Sequence, residues 1–224
     1  MNPFKALLPA GRFPRTVMSG PLAGIRLHLD LRSELMILLG IYERETYADI
    51  RRLLRGCHGA VDLGAAKGDL TIHCLRQPGM QRVVAVEPLE REREQFTANL
   101  ALNGFAHDPR LVLHPGFAGR GEAPLWRTLD DLTSDLSGPV FLKIDIDGPE
   151  AEVLADAHAL LRTEDCRLLI ETHSLEAENG CADQLRELGY RVKIVSPAWW
   201  RLFLPELRPI PHNRWLAAWR EPLR

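Results

Sequence analysis

The chain has 224 residues, with 28 Lys and Arg against 30 Asp and Glu, a formal net charge of −2, 46% hydrophobic residues and 26% charged residues. These proportions exclude a wholly disordered chain and a uniformly basic nucleic-acid binder, and the length suffices for a full hydrophobic core. Cys57, Cys74, Cys166 and Cys181 form no Cys-x-x-Cys pair and suit the reduced thiols of a cytoplasmic protein, and no apolar run approaches the roughly 18 residues of a membrane helix.

Residues 1–20 read as a loosely ordered arm, too rich in proline for a signal peptide. Gly24–Arg32 alternates apolar and polar residues and predicts a half-buried strand or hairpin piece. Ser33–Tyr42 and Thr46–Arg55 carry apolar residues at helical spacing, and the arm and these elements form an N-terminal cap over residues 1–55. From residue 56 the rhythm changes. Ala60–Gly64, Arg82–Glu87, Arg110–His114, Val140–Asp145 and Arg167–Thr172 are short Val, Ile and Leu runs of the kind buried on both faces of a parallel sheet. Helical patterns over Leu89–Asn103 and Pro149–Arg162 lie between them, which predicts an α/β fold with a doubly wound, right-handed sheet over residues 56–224. A short helix over Ala182–Leu188 and strands over Tyr190–Ser196 and Arg214–Arg220 follow. The Pro-rich connection between those two strands carries Trp199, Trp200 and Phe203, which suit a roof over an acceptor, a homodimer surface or local packing.

Four places carry chemistry. Asp62-Leu63-Gly64-Ala65-Ala66-Lys67-Gly68-Asp69-Leu70-Thr71 is a strand–turn–helix passage in which Gly64 and Gly68 permit a sharp turn and close ligand approach. It is not Gly-x-Gly-x-x-Gly, and the acids Asp62 and Asp69 suit an ammonium and a sulfonium better than a pyrophosphate; an ordinary strand–helix turn is the plain alternative. Glu87, at the end of the second of these strands, is placed to accept ribose hydroxyls. Asp145 and Asp147 end the fourth strand and enter the next turn, and Glu171 and His173 end the fifth. These four are the candidate catalytic residues, with His173 the natural general base by its unperturbed pKa. The oxygens of Asp145, Asp147 and Glu171 also offer a site to Mg²⁺.

Gly40–Glu45 (GIYERE), the VDLGAAKGDLT turn, Asn99–Gly104 (NLALNG), Thr128–Leu132 (TLDDL), Leu142–Leu154 (LKIDIDGPEAEVL) and Leu168–His173 (LLIETH) resemble, in order and spacing, the motifs of the FkbM family of class I S-adenosylmethionine-dependent methyltransferases. The resemblance implies a seven-stranded Rossmann-like sheet with its last strand antiparallel, and S-adenosylmethionine as cofactor. Carried over residue by residue, it assigns Asp62, Gly64, Ala66, Lys67, Gly68, Asp69 and Thr71 to the methionine end and Glu87 with Pro88 to the ribose. Gly116, Phe117 and Ala118 lie where the adenine rests, Asp145 near the reactive end, and Tyr42 and Glu43 in the closing cap. Lys67 has Asp62, Asp69 or the cofactor carboxylate as prospective partners. The family usually has Asn at the position of Ala66 and Glu at that of Asp147, so this chain departs at both. The implied reaction is O-methylation of a hydroxyl on a saccharide or secondary metabolite. An N-methyltransferase, a non-catalytic nucleoside-binding module and an NAD-linked oxidoreductase are the competing readings, the first disfavoured because Lys-Ile-Asp-Ile-Asp stands where an Asn-Pro-Pro-Tyr motif would.

Overall fold

A computed structural model describes residues 8–163, 165–198 and 212–220, so the expectations placed on Trp199, Trp200 and Phe203 lie outside the described residues. The N-terminal part holds β1 (Arg12–Thr16), β2 (Arg26–Asp30), α1 (Leu31–Leu39) and α2 (Tyr47–Leu54). The centre holds β3 (Gly59–Leu63), α3 (Asp69–Leu75), β4 (Arg82–Val86), α4 (Glu90–Leu102), β5 (Leu111–His114), β6 (Phe117–Ala118), β7 (Trp126–Arg127) and α5 (Leu129–Leu132). β8 (Val140–Ile144), α6 (Glu150–Ala155), α7 (His158–Thr163), β9 (Cys166–Thr172), α8 (Leu175–Glu187), β10 (Arg191–Val195) and β11 (Arg214–Trp219) complete it.

Seven strands form one sheet in the order β10-β11-β9-β8-β3-β4-β5. β11 runs antiparallel to both of its neighbours, while β9, β8, β3, β4 and β5 are parallel. This is the expected α/β, Rossmann-like arrangement. Alternate residues of each central strand serve opposite faces. Val61, Leu63, Leu142, Ile144 and Ile170 pack under α6, α7 and α8, and Ala60, Phe141 and Leu169 pack under β2, α2, α3 and α4. Both faces are therefore dry, which is why these strands read as unbroken apolar runs. The register sets the functional edge: Leu63 lies opposite both Val86 and Ile144, so β3, β4 and β8 finish level and release Gly64, Glu87 and Asp145 side by side.

Three expectations need correction. Part of the supposed arm is a strand, β1, paired antiparallel with β2 from Arg12↔Asp30 to Thr16↔Arg26. The single helix expected over Pro149–Arg162 is two, because α6 stops at Asp156 and α7 restarts at His158. The amides of Ala159 and Leu160 at the start of α7 donate to the carboxylate of Asp130 in α5, a cap supplied from a distant segment. The short helix expected at Ala182 begins instead at Leu175, capped by Ser174. Gly180 lies inside α8, where an added Cβ would touch Ala151 Cβ of α6 at 3.4 Å.

Candidate active site

The turn after β3 is sewn to β4. The amides of Gly64 and Ala65 donate to the carbonyl of Val86, each at 3.0 Å, and Ala66 N donates to Glu87 Oε2 at 2.8 Å. The other Glu87 oxygen accepts from Leu89 N across Pro88 at 2.9 Å. On the other side, Asp145 N donates to Leu63 O at 3.2 Å. Gly64 has φ +73°, and a Cβ there would fall 1.8 Å from the carbonyl oxygen of Asp145. No side chain fits at 64, because the two strand ends already touch. Gly68 opens α3, and Asp69 is its first residue. Ala66 has φ 43° and Asp147 has φ 56°. Asn and Asp tolerate this left-handed region better than Ala does, so replacing the family's usual Asn with Ala66 carries a conformational cost.

Under the turn, Asp62 is almost wholly buried and accepts from Thr71 Oγ1 at 2.6 Å, while its Oδ1 has no hydrogen-bond partner. Burial pushes its carboxyl pKa up against the opposing charge of Lys143. Lys143, level with Asp62 in the paired strands, donates to Gly64 O at 2.9 Å and lies 3.2 Å from Asp145 Oδ2 and 3.5 Å from Asp62 Oδ1. Burial works against its charge, but Asp145 and Asp62 outweigh burial and hold the ammonium protonated. Lys143 was not singled out from the sequence. The available signal was register, because Asp62 and Lys143 face each other wherever β3 and β8 pair in parallel.

Lys67 does not meet Asp62 or Asp69. Its ammonium pairs with Glu34 of α1 at 2.5 Å, and Glu34 also holds Arg12 at 3.1 Å. α1 has non-helical dihedrals at Glu34, the residue that reaches Lys67. Asn99 of α4, fully buried, accepts from His28 N at 2.8 Å and donates to Lys67 O at 2.9 Å, tying the β1–β2 hairpin to the same turn.

The four candidate catalytic residues do converge. Asp145, Glu171 and His173 bring polar atoms within 4.8 Å of one another, and His173 Nε2 is 3.4 Å from Asp147 Oδ1 and 3.8 Å from Asp145 Oδ1. Asp147 therefore reaches the histidine despite being shorter than the family's Glu. Burial, then the charges of Asp145 and Glu43, push the Glu171 carboxyl up to about 10. Burial also acts against ionisation of Asp145, but Lys143 and a hydrogen bond from Glu171 bring it below its ordinary value. At neutral pH Asp145 carries the charge and Glu171 the proton. Glu43, from the cap and at φ 50°, acts electrostatically on both Lys143 and Glu171, and the adjacent Tyr42 is exposed. Phe117 stacks on Trp126 with ring centroids 4.7 Å apart, and Ala118 is buried. Both follow β5, whose last carbonyl, that of His114, accepts from Glu87 N at 3.2 Å.

Glu171 supplies a pH test. A carboxyl whose folded-state pKa is raised contributes stability that is complete below its unfolded value, about 4.3, and is lost as pH climbs toward 10. Glu171→Gln is neutral throughout and escapes that loss. In thermal melts the variant should gain on the parent protein as pH rises from about 5 to about 8. A difference in Tm that stays constant over this range refutes the protonated assignment.

The expected Mg²⁺ set of Asp145, Asp147 and Glu171 is not supported: Asp147 lies outside the group that Asp145, Glu171 and His173 form, and the Lys143 ammonium, 3.2 Å from Asp145 Oδ2, competes for that carboxylate. The residues at the β3, β4 and β8 edge do fit S-adenosylmethionine: Asp62 Oδ1 is a buried acceptor that receives no hydrogen bond, and the backbone at Gly64 is bare.

A family model described as the Methyltransferase FkbM domain matches residues 126–192, just under a third of the chain. No curated protein matches. Among solved structures, the methyltransferase FkbM from Methylobacillus flagellatus KT superposes with a TM-score of 0.55 at 19% identity, over 72% of this chain and 43% of that one. The chain thus spans less than half of that protein's length. An rRNA methylase from Streptococcus thermophilus gives a TM-score of 0.53 at 12% identity, over 80% of this chain and 97% of that one. A SAM-dependent O-methyltransferase from Thermotoga maritima gives 0.51 at 14% identity, over 87% and 72%. The four cysteines are free and buried, and no helix among the described residues is long and apolar enough to cross a membrane. The chain has the fold of S-adenosylmethionine-dependent methyltransferases, and its resemblance to the FkbM family is borne out by the domain match over residues 126–192.

Proposed function

We propose that the protein is an S-adenosylmethionine-dependent O-methyltransferase acting on a hydroxyl of a small molecule or saccharide. The observation that carries this is the single edge formed where β3, β4 and β8 end, with Asp62, Glu87 and Asp145 around the bare backbone of Gly64. Asp62, Gly64, Ala66, Gly68, Asp69 and Thr71 would hold the methionine end, Glu87 and Pro88 the ribose, and Phe117 and Ala118 the adenine, with Tyr42 and Glu43 closing the site. Lys67 serves through Glu34, fixing the cap to the turn. Carboxylates on this edge favour a cationic ligand, which supports S-adenosylmethionine over NAD.

When bound, S-adenosylmethionine would supply a sulfonium methyl for transfer to the hydroxyl oxygen. The protein's main contribution is alignment, which can supply on the order of 7–11 kcal/mol. A hydroxyl must also lose its proton, and His173 Nε2, facing Asp145 and Asp147, is placed to receive it.

Calorimetry with S-adenosylmethionine and S-adenosylhomocysteine tests the reading, and binding of neither would end it. Glu87→Ala removes the ribose acceptor and strips the amides of Ala66 and Leu89 of their partner. Affinity for S-adenosylmethionine should fall by about 1–3 kcal/mol, roughly 5- to 150-fold. An unchanged Kd removes Glu87 from the site.

A further inference from the structure

Glu150 is the first residue of α6. Its side chain is fully buried and turns back from α6 to the site. Oε1 accepts from Gly148 N at 2.9 Å and lies 2.7 Å from His173 Nδ1, while Oε2 is buried without a hydrogen-bond partner. A carboxylate offers no proton, so the contact requires the hydrogen on Nδ1. The ring's other nitrogen faces the opposite way, with Asp147 Oδ1 at 3.4 Å and Asp145 Oδ1 at 3.8 Å.

We infer that Glu150 is a positioning residue: it locks His173 as the Nδ1–H tautomer and presents the Nε2 lone pair to the acceptor hydroxyl. The inference rests on the methyltransferase reading and adds to it the group that orients the base. Which nitrogen of a histidine carries the proton is set by the hydrogen bond made at the other. The titratable groups facing the ring are Glu150 from α6, Asp145 and Asp147 from the turn after β8, and the protonated Glu171 from β9, with Lys143 behind Asp145. Burial alone would lower the pKa of His173; the hydrogen bond and charge of Glu150, with Asp145 and Asp147, raise it instead.

The test is long-range proton–nitrogen NMR on the ¹⁵N-labelled full chain. The chain has eight histidines, and His173→Gln assigns the signal by its disappearance. Above the His173 midpoint, the neutral ring of the parent protein should carry its proton on Nδ1. In Glu150→Gln the amide oxygen can still accept that proton, so the tautomer stays while the midpoint falls by about one to three pH units. In Glu150→Ala the ring should revert to the Nε2–H form favoured by free histidine. If the alanine variant does not fold, the glutamine variant decides alone. An Nε2–H ring in the parent, or an unmoved midpoint in Glu150→Gln, overturns the inference. Titration of the parent with S-adenosylmethionine runs beside it: failure to bind would end the methyltransferase reading and leave the tautomer result standing.

Discussion

Lys143→Met should be the most destabilising single substitution at the site. The ammonium is 3.2 Å from Asp145 and 3.5 Å from Asp62, and it donates to the carbonyl of Gly64, so one group ties β8 to the end of β3. Methionine matches the aliphatic stem and removes the charge. Asp62 is left buried with an oxygen that receives no hydrogen bond and has lost its ion pair, and Asp145 loses its counter-ion. Removing one member of a buried pair costs about 3–5 kcal/mol, which at about 2–4 °C per kcal/mol is a fall in Tm of roughly 10 °C. The loss should be larger at pH 8 than at pH 5, because both carboxylates would then have folded-state pKa values above their unfolded ones, and such groups lose their stabilising contribution as pH rises. Adding Asp145→Asn to Lys143→Met should recover part of the loss. A single variant that melts within about 1 °C of the parent shows that Lys143 is not the site's electrostatic keystone.

The second large effect concerns the rate. His173→Ala should slow methyl transfer by about 10²- to 10⁴-fold, the ordinary contribution of a general base, with the Kd for S-adenosylmethionine unchanged. The assay follows labelled methyl groups from S-adenosylmethionine into a panel of hydroxyl and amine acceptors. Transfer to hydroxyls in the parent and its loss in the variant support O-methylation. Transfer to amines alone would replace that reading. Transfer at the parental rate in the variant would remove His173 as the base.

Much of this arrangement is legible from residue order. The central strands announce themselves because both sheet faces are covered, so Val, Ile and Leu runs survive without alternation. Asp62, Glu87, Asp145, Glu171 and His173 could be placed because acids that close successive parallel strands must share an edge. The break between α6 and α7 was not legible, since apolar spacing continues through it and the cap comes from Asp130, nearly thirty residues away. Glu150 and Lys143 were missed for a related reason. Their functions depend on which side chain lies across a strand pair or under a turn, and no local spacing encodes that. Lys67 meets neither Asp62 nor Asp69 because its partner, Glu34, sits on a cap helix whose kink the helical pattern does not reveal.

The antiparallel strand has a bearing on biosynthesis. β11 is the last strand among the described residues, yet it lies between β9 and β10 and pairs with both. Arg214 at its start also holds Glu178 of α8 at 2.5 Å, and its carbonyl accepts from Thr172. During synthesis on the ribosome β9 and β10 therefore lack their common native neighbour until residues 214–219 emerge, and completion of the sheet waits on that segment.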